Sequence, residues 1–126
     1  MLDRKYGINV KKTNVLEKET KNRIHLSLKS RQVIDEIKLP TIIAGDFNMP
    51  IESIIYRSHW GDLLNSYSET GHGYGWSVKD FLKNVYIKIR VDHVLTNHNA
   101  TPLNCEVVKT IGSDHLPVIS DIMLTD

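Results

Sequence analysis

Nowhere in the 126 residues is there a run of about 18 apolar residues, the minimum for a helix that crosses a bilayer, so no membrane span is expected. Cysteine is nearly absent. Cys105 alone excludes an internal disulfide and any Cys-x-x-Cys zinc site. It stands in an alternating apolar run and is expected to pack as a small hydrophobe. The opening residues, Met1 to Tyr6, lack the apolar core of a secretory signal, and the expected compartment is therefore the cytoplasm. Repeats and low-complexity tracts are missing too. With 40% hydrophobic and 25% charged residues, the composition excludes a wholly disordered chain. His25, His59, His72 and His98 fall at no metal-ligand spacing.

Net charge is also nearly absent, at +1, but its parts are unevenly placed. Residues 1–31 hold nine Lys and Arg against three Asp and Glu, and residues 32–126 hold seven against twelve. A basic arm of this kind either steers a polyanion toward an acidic site or is a solvated face. Residues 1–22 read as a basic, weakly structured arm or an isolated hairpin, and residues 23–126 as the folded part. Ile24, Leu28, Val33, Ile34 and Ile37 recur at near-helical spacing and predict an amphipathic helix over 23–38. Thr41–Ala44 is a short β-branched run that predicts a buried strand. Pro50 suits the first turn of a helix reaching about Arg57.

Residues 68–75, with three glycines, predict a loop, and Trp76 the start of a strand. Val85, Ile87, Ile89 and Val91 alternate with Tyr86, Lys88, Arg90 and Asp92, which predicts one half-buried strand with a polar face. Further strands are expected around Val107–Val108 and from Pro117 to Leu124. A helix followed by several strands joined by long loops is an α+β pattern.

Three polar stretches stand at expected strand ends: Gly45-Asp46-Phe47-Asn48, Arg90-Val91-Asp92-His93 and Gly112-Ser113-Asp114-His115. Continued extension past Ala44 turns Asp46 and Asn48 to the same side. A carboxylate there can orient a water, and a carboxamide can donate to a phosphoryl oxygen without adding charge. The same residues also serve any turn. Asp92, on a face that otherwise belongs to a strand burying Val and Ile, needs a partner. His115 would be held in one tautomer by it, whereas pairing with Arg90 would be structural. His93 should face the other way and pack. Tyr74 and Trp76 either stack on a base or sugar or cover the core.

In order and spacing, these stretches, with Leu116-Pro117-Val118 after the third, resemble the C-terminal motifs of the endonuclease/exonuclease/phosphatase (DNase-I-like) superfamily. Arg31-Gln32 and Tyr74-Gly75-Trp76-Ser77 fit the same frame, and the resemblance covers roughly residues 23–125. It implies the C-terminal half of a two-sheet α/β sandwich with a mixed or antiparallel sheet and flanking helices. It also implies a Mg2+ (or Mn2+) site at one end. Carried over by position, Asp46 orients or deprotonates the attacking water and Asn48 binds the scissile phosphate. His115 contacts the phosphate, held by Asp92, and Asp114 joins Asp46 at the metal.

The family's N-terminal half, with a metal-binding Glu, has no counterpart in this sequence. A half-sandwich is expected to expose an apolar sheet face that a second chain or a second copy would cover. The leading expectation is a metal-dependent phosphodiester hydrolase acting on a nucleic acid, a lipid head group or a sugar phosphate. The alternatives are an impaired remnant or interaction module that keeps the pocket residues, and a nucleic-acid binder using the basic arm.

Overall fold

The computed structural model describes residues 2–3, 8–82, 85–109 and 112–125. It contains helices and antiparallel sheets, the α+β class expected, and divides into two compact units, residues 1–36 and 37–126. Among the described residues no helix is long and apolar enough to cross a membrane.

In the first unit β1 (Leu2–Asp3) pairs antiparallel with β2 (Ile8–Asn9), and α1 (Val10–Asp35) follows directly. Helix therefore begins at Val10 and not near residue 23, so most of the expected arm is ordered. Met1 and residues 4–7 of that arm lie outside the described residues. The early start has a local cause. Residues 10–22 carry neither Pro nor Gly, and Lys, Glu and Leu among them are good helix formers. A Glu17–Lys21 pair at 2.8 Å is also correctly spaced one turn apart. The covered stripe differs from the apolar one foreseen: Ile24, Ser27, Arg31 and Ile34 are shielded, while Leu28 and Val33 are exposed.

The second unit is built on β3 (Ile42–Asp46), which pairs antiparallel with β7 (Asp92–Thr96), itself flanked by the short β4 (Leu64–Asn65). The order β3-β7-β4 leaves β3 at an edge of this sheet. β5 (Val78–Leu82) and β6 (Val85–Ile89) form one hairpin, and β8 (Ala100–Val107) and β9 (Val118–Leu124) another. Every described pairing is antiparallel.

Two short helices complete the unit. α2 (Ile54–Trp60) starts later than Pro50, because Ser53 is its N-cap and accepts the Tyr56 amide. Pro50 sits in the preceding turn, its carbonyl accepting the Ser53 amide. α3 (Ser66–Thr70) occupies the start of the expected glycine loop, capped by the Asn65 side chain, which accepts the Ser68 amide at 3.1 Å. Regular pairing resumes at Val78, two residues later than the expected strand start at Trp76.

The long alternating strand is in fact two. β6 ends at Ile89, and Asp92 opens β7 in a different sheet. The join is held by the fully buried Ser77, whose Oγ accepts the amides of Val91 (3.1 Å) and Asp92 (3.0 Å) where no ladder partner does. The alternation survives the crossing, so a periodicity argument cannot see it. The side chain of Val85, assigned to the buried face, lies outside the described residues.

The core of this unit lies under β7. His93, Leu95 and Thr96 are buried there together with Tyr56, Trp60, Tyr67 and Met49. Phe47 meets Trp60 edge-on with ring centroids 4.9 Å apart and His93 at 5.4 Å. Such packing is worth about 1 kcal/mol per pair beyond area burial. Cys105 is buried as expected, and burial raises its thiol pKa.

Candidate active site

Asp46 is the last residue of β3 and stands directly opposite Asp92, the first residue of β7. Like charges facing each other across an antiparallel pair are destabilising, so the arrangement calls for positive charge between or beside them. His115 supplies some: its Nδ1 lies 2.9 Å from Asp92 Oδ2. Since a carboxylate can only accept, Nδ1 carries the hydrogen and Nε2 is left free. The hydrogen bond to Asp92 raises the His115 pKa, and the charges of Asp92, Asp46 and Asp114 add to that rise. Ligand atoms of Asp46, Asp92 and His115 all lie within 4.8 Å of one another.

His115 is positioned through the backbone. Val78 forms an isolated bridge with it, the Leu116 amide donates to Ser77 O at 2.6 Å, and the Lys79 amide donates to Asp114 O. The Ser113 hydroxyl accepts the His115 amide at 3.1 Å. Ser77 thus ties both halves of the pair, holding the Asp92 amide by its side chain and Leu116 by its carbonyl. Sequence reasoning placed Ser77 in a matching frame and gave it no task; nothing in a single Ser marks a buried double acceptor.

Asn48 departs from the extended geometry assumed for it. Phe47 still bonds to Val91 O, but Asn48 turns into the left-handed region at φ +51°. Its amide donates to Asp46 Oδ1 at 2.8 Å. The two residues form an Asx-type turn, which Asn tolerates better than most side chains. One Asp46 oxygen is therefore already engaged. Asp114 is exposed beside His115, and its carboxylate is not among the grouped ligand atoms, where Asp92 stands in its stead. Arg90 does not compete for Asp92. Its guanidinium donates to Ser68 Oγ at 3.1 Å and lies 5.0 Å over the Tyr67 ring.

Beneath the carboxylates sits a second, buried network. His93 Nε2 is 2.8 Å from Met49 O, so that nitrogen carries the proton and Nδ1 accepts from Asn65 Nδ2 at 3.2 Å. Asn65 Nδ2 also donates to Tyr56 Oη at 2.8 Å, and burial raises the Tyr56 pKa. Burial lowers the His93 pKa and keeps it neutral. The expectation that His93 packs away from the site matches this geometry. Asn65 was missed, although Asn just before Ser-Tyr-Ser is an ordinary N-cap signal.

As donors for a metal, two carboxylates and an imidazole suit a hard divalent cation only in part. Mg2+ prefers six oxygens, and the Asp92 and His115 atoms already satisfy each other. Asp46, exposed and with one oxygen uncommitted, is the available ligand, and water would fill most of the shell.

A protein-family model described as "Endonuclease/Exonuclease/phosphatase family" matches residues 13–115. Among solved structures, a family protein from Bacteroides thetaiotaomicron shares the fold at TM-score 0.66 and 22% identity, over 84% of this chain and 45% of that one. A counterpart from Bacteroides vulgatus gives 0.64 and 22%, over 81% and 44%. A mannosyl-6-phosphatase of Bacteroides thetaiotaomicron gives 0.59 and 20%, over the same shares. The chain spans less than half the length of each. No curated protein matches it.

Proposed function

The chain belongs to the endonuclease/exonuclease/phosphatase family, and on that premise we propose that it hydrolyses a phosphoester with the help of a divalent cation. The observation that carries this reading is the register pair Asp46–Asp92 with His115 closing the cluster. No packing requirement explains two opposed carboxylates at a solvent-facing strand end. A phosphate and its cation do.

In this reading Asp46 orients the attacking water and takes its proton as the water oxygen bonds to phosphorus. The bond from phosphorus to the ester oxygen breaks, and the leaving oxygen takes a proton from solvent water. Asn48 and His115 Nε2 donate to the phosphoryl oxygens, and Asp92 keeps His115 in the tautomer that can do so. Asp46, with Asp114 nearby, would hold the Mg2+ or Mn2+, which supplies charge neutralisation and a more acidic water. The substrate field comprises nucleic acid, lipid head group and sugar phosphate. The mannosyl-6-phosphatase among the structural neighbours favours the last.

Hydrolysis of a chromogenic phosphodiester and monoester with Mg2+ or Mn2+ tests the reading. Turnover that falls about 100-fold or more in Asp46→Ala is expected, the scale of a lost general base. Turnover unchanged in that variant would sink the assignment.

A second reading has its own observation. The chain covers under half of its solved relatives, and Ile42, Leu103, Ile119 and Met123 are exposed on its strands. An impaired remnant, or a module whose apolar face is covered by a second chain or a second copy, would look the same. A folded sample that shows no turnover with either metal would favour it.

A further inference from the structure

Loop 71–77 is wound around one buried ring. The Tyr67 hydroxyl donates to His72 O, and the Gly71 amide donates to Tyr67 O. A Cβ on Gly75 would stand 2.3 Å from the Tyr67 ring, at a φ of +62° that only glycine adopts freely. This winding throws two aromatic side chains outward. Tyr74 and Trp76 lie parallel, centroids 4.8 Å apart and planes 2° apart. The Lys88 ammonium is 4.5 Å from the Trp76 ring centre and 5.1 Å from that of Tyr86. Tyr74 is 76% exposed. With Trp76 on one face of its ring, the other face is open to solvent.

The core-cover reading does not apply to so exposed a ring. Its loop runs directly into a residue that holds the site. Trp76 precedes Ser77 by one peptide step, about 3.8 Å between Cα atoms, and Ser77 Oγ holds the Asp92 amide. We propose that the open face of Tyr74, backed by Trp76 and Lys88, is a subsite for the pyranose ring of a sugar phosphoester. This inference rests on the phosphoester reading and narrows its substrate class.

The choice of a sugar over a nucleobase follows from charge. Residues 37–126 hold seven Lys and Arg against ten Asp and Glu, a net −3. Strands of nucleic acid are gripped by clustered cations at their phosphates, whereas here Lys88 lies over the Trp76 and Tyr86 rings and Arg90, just past the hairpin, is bonded to Ser68. A pyranose needs no such cluster. Its axial C–H bonds present weak positive charge to the negative face of an aromatic ring, and its hydroxyls stay in water.

Saturation-transfer NMR with methyl β-D-glucopyranoside, whose ring faces carry only C–H bonds, tests the subsite without catalysis. Adenosine serves as the uncharged nucleobase probe. Transfer to the glucoside ring protons is expected in the wild type and in Tyr74→Phe. In Tyr74→Ala the dissociation constant should rise about ten-fold, equivalent to about 1.4 kcal/mol. Equal transfer in Tyr74→Ala, no transfer in the wild type, or transfer to adenosine alone would overturn the proposal. Asp46→Ala keeps the two readings apart. Hydrolysis retained in it, alongside ring binding lost only in Tyr74→Ala, would sink the catalytic assignment and leave the subsite standing.

Discussion

The pairing of Asp92 with His115 is the interaction on which most of the site's chemistry turns, and it has a direct spectroscopic signature. The Asp92 hydrogen bond favours the imidazolium, so His115 should titrate above the usual 6.5 in the metal-free protein. A histidine whose pKa is raised on folding contributes stability that is fully present below about pH 6.5 and is lost as pH rises through the folded value. The side chain of His115 is 40% exposed, so that contribution is that of a surface pair, at most about 1 kcal/mol. In Asp92→Asn the midpoint followed by NMR should fall back toward 6.5. An unchanged midpoint would show that the hydrogen bond does not govern His115.

His93 runs the other way. Held neutral by burial, it contributes stability that is present above about pH 6.5 and is lost as pH falls through its lowered folded value. In the sequence, strand alternation sets His93 aside as the neighbour of Asp92 facing the other way, whereas His115 is singled out by its Gly-Ser-Asp-His motif and by Asp92 as a possible partner. That Asp46, Asp92 and His115 come together was legible from their motifs at expected strand ends, while the residues alone also fitted ordinary turns. Asn48 was only half legible, since a turn and a continued strand use the same letters, and the left-handed φ decides between them.

At the scale of elements, the capping residue Asn65 joins β4, α3 and β7 through one side chain. It accepts from Ser68 and donates to Tyr56 and His93, all within the buried network. Asn65→Ala removes the cap of α3 and leaves two buried polar groups short of a partner, for an expected loss of about 2–4 kcal/mol by denaturant unfolding. Asn65→Asp keeps the cap and removes the donors, so it should recover about 1 kcal/mol of that loss. A loss under about 0.5 kcal/mol in Asn65→Ala would show that the network does not stabilise the unit.

This network was illegible because Asn65 stands 9 residues from Tyr56 and 28 from His93, and of the three only His93 falls in a motif. The start of α1 was misplaced for a different reason. Amphipathic periodicity locates helices that bury a face, and residues 13–23 are exposed all round, so propensity alone sets that stretch. The break between β6 and β7 escaped because alternation continues through it while the partner changes from the β5 backbone, paired through Val78 with Ile89, to the Ser77 hydroxyl.

For the molecule as a whole, apolar side chains stay uncovered on the strands of residues 37–126: Ile42 on the edge strand, and Ile119 and Met123 on β9, are about half exposed. Whether the remaining carboxylates still hold a cation is a thermodynamic question, separable from turnover. A cation bound only by the folded state raises stability by RT ln(1 + [L]/Kd), about 1.4 kcal/mol at ten times Kd. For a unit of this size such a gain moves the midpoint upward by roughly 5 °C or more.

Trp60 and Trp76, the two tryptophans of the chain, both lie in residues 37–126, so their fluorescence reports from that unit. Thermal unfolding followed this way should shift upward with saturating Mg2+ or Mn2+ in the wild type and stay put in Asp46→Ala. The same shift in both proteins would place the cation elsewhere. No shift in either would mean that a register pair of carboxylates, with its imidazole already spent on Asp92, is too poor a cage, and that the family's remaining ligand must come from outside these residues.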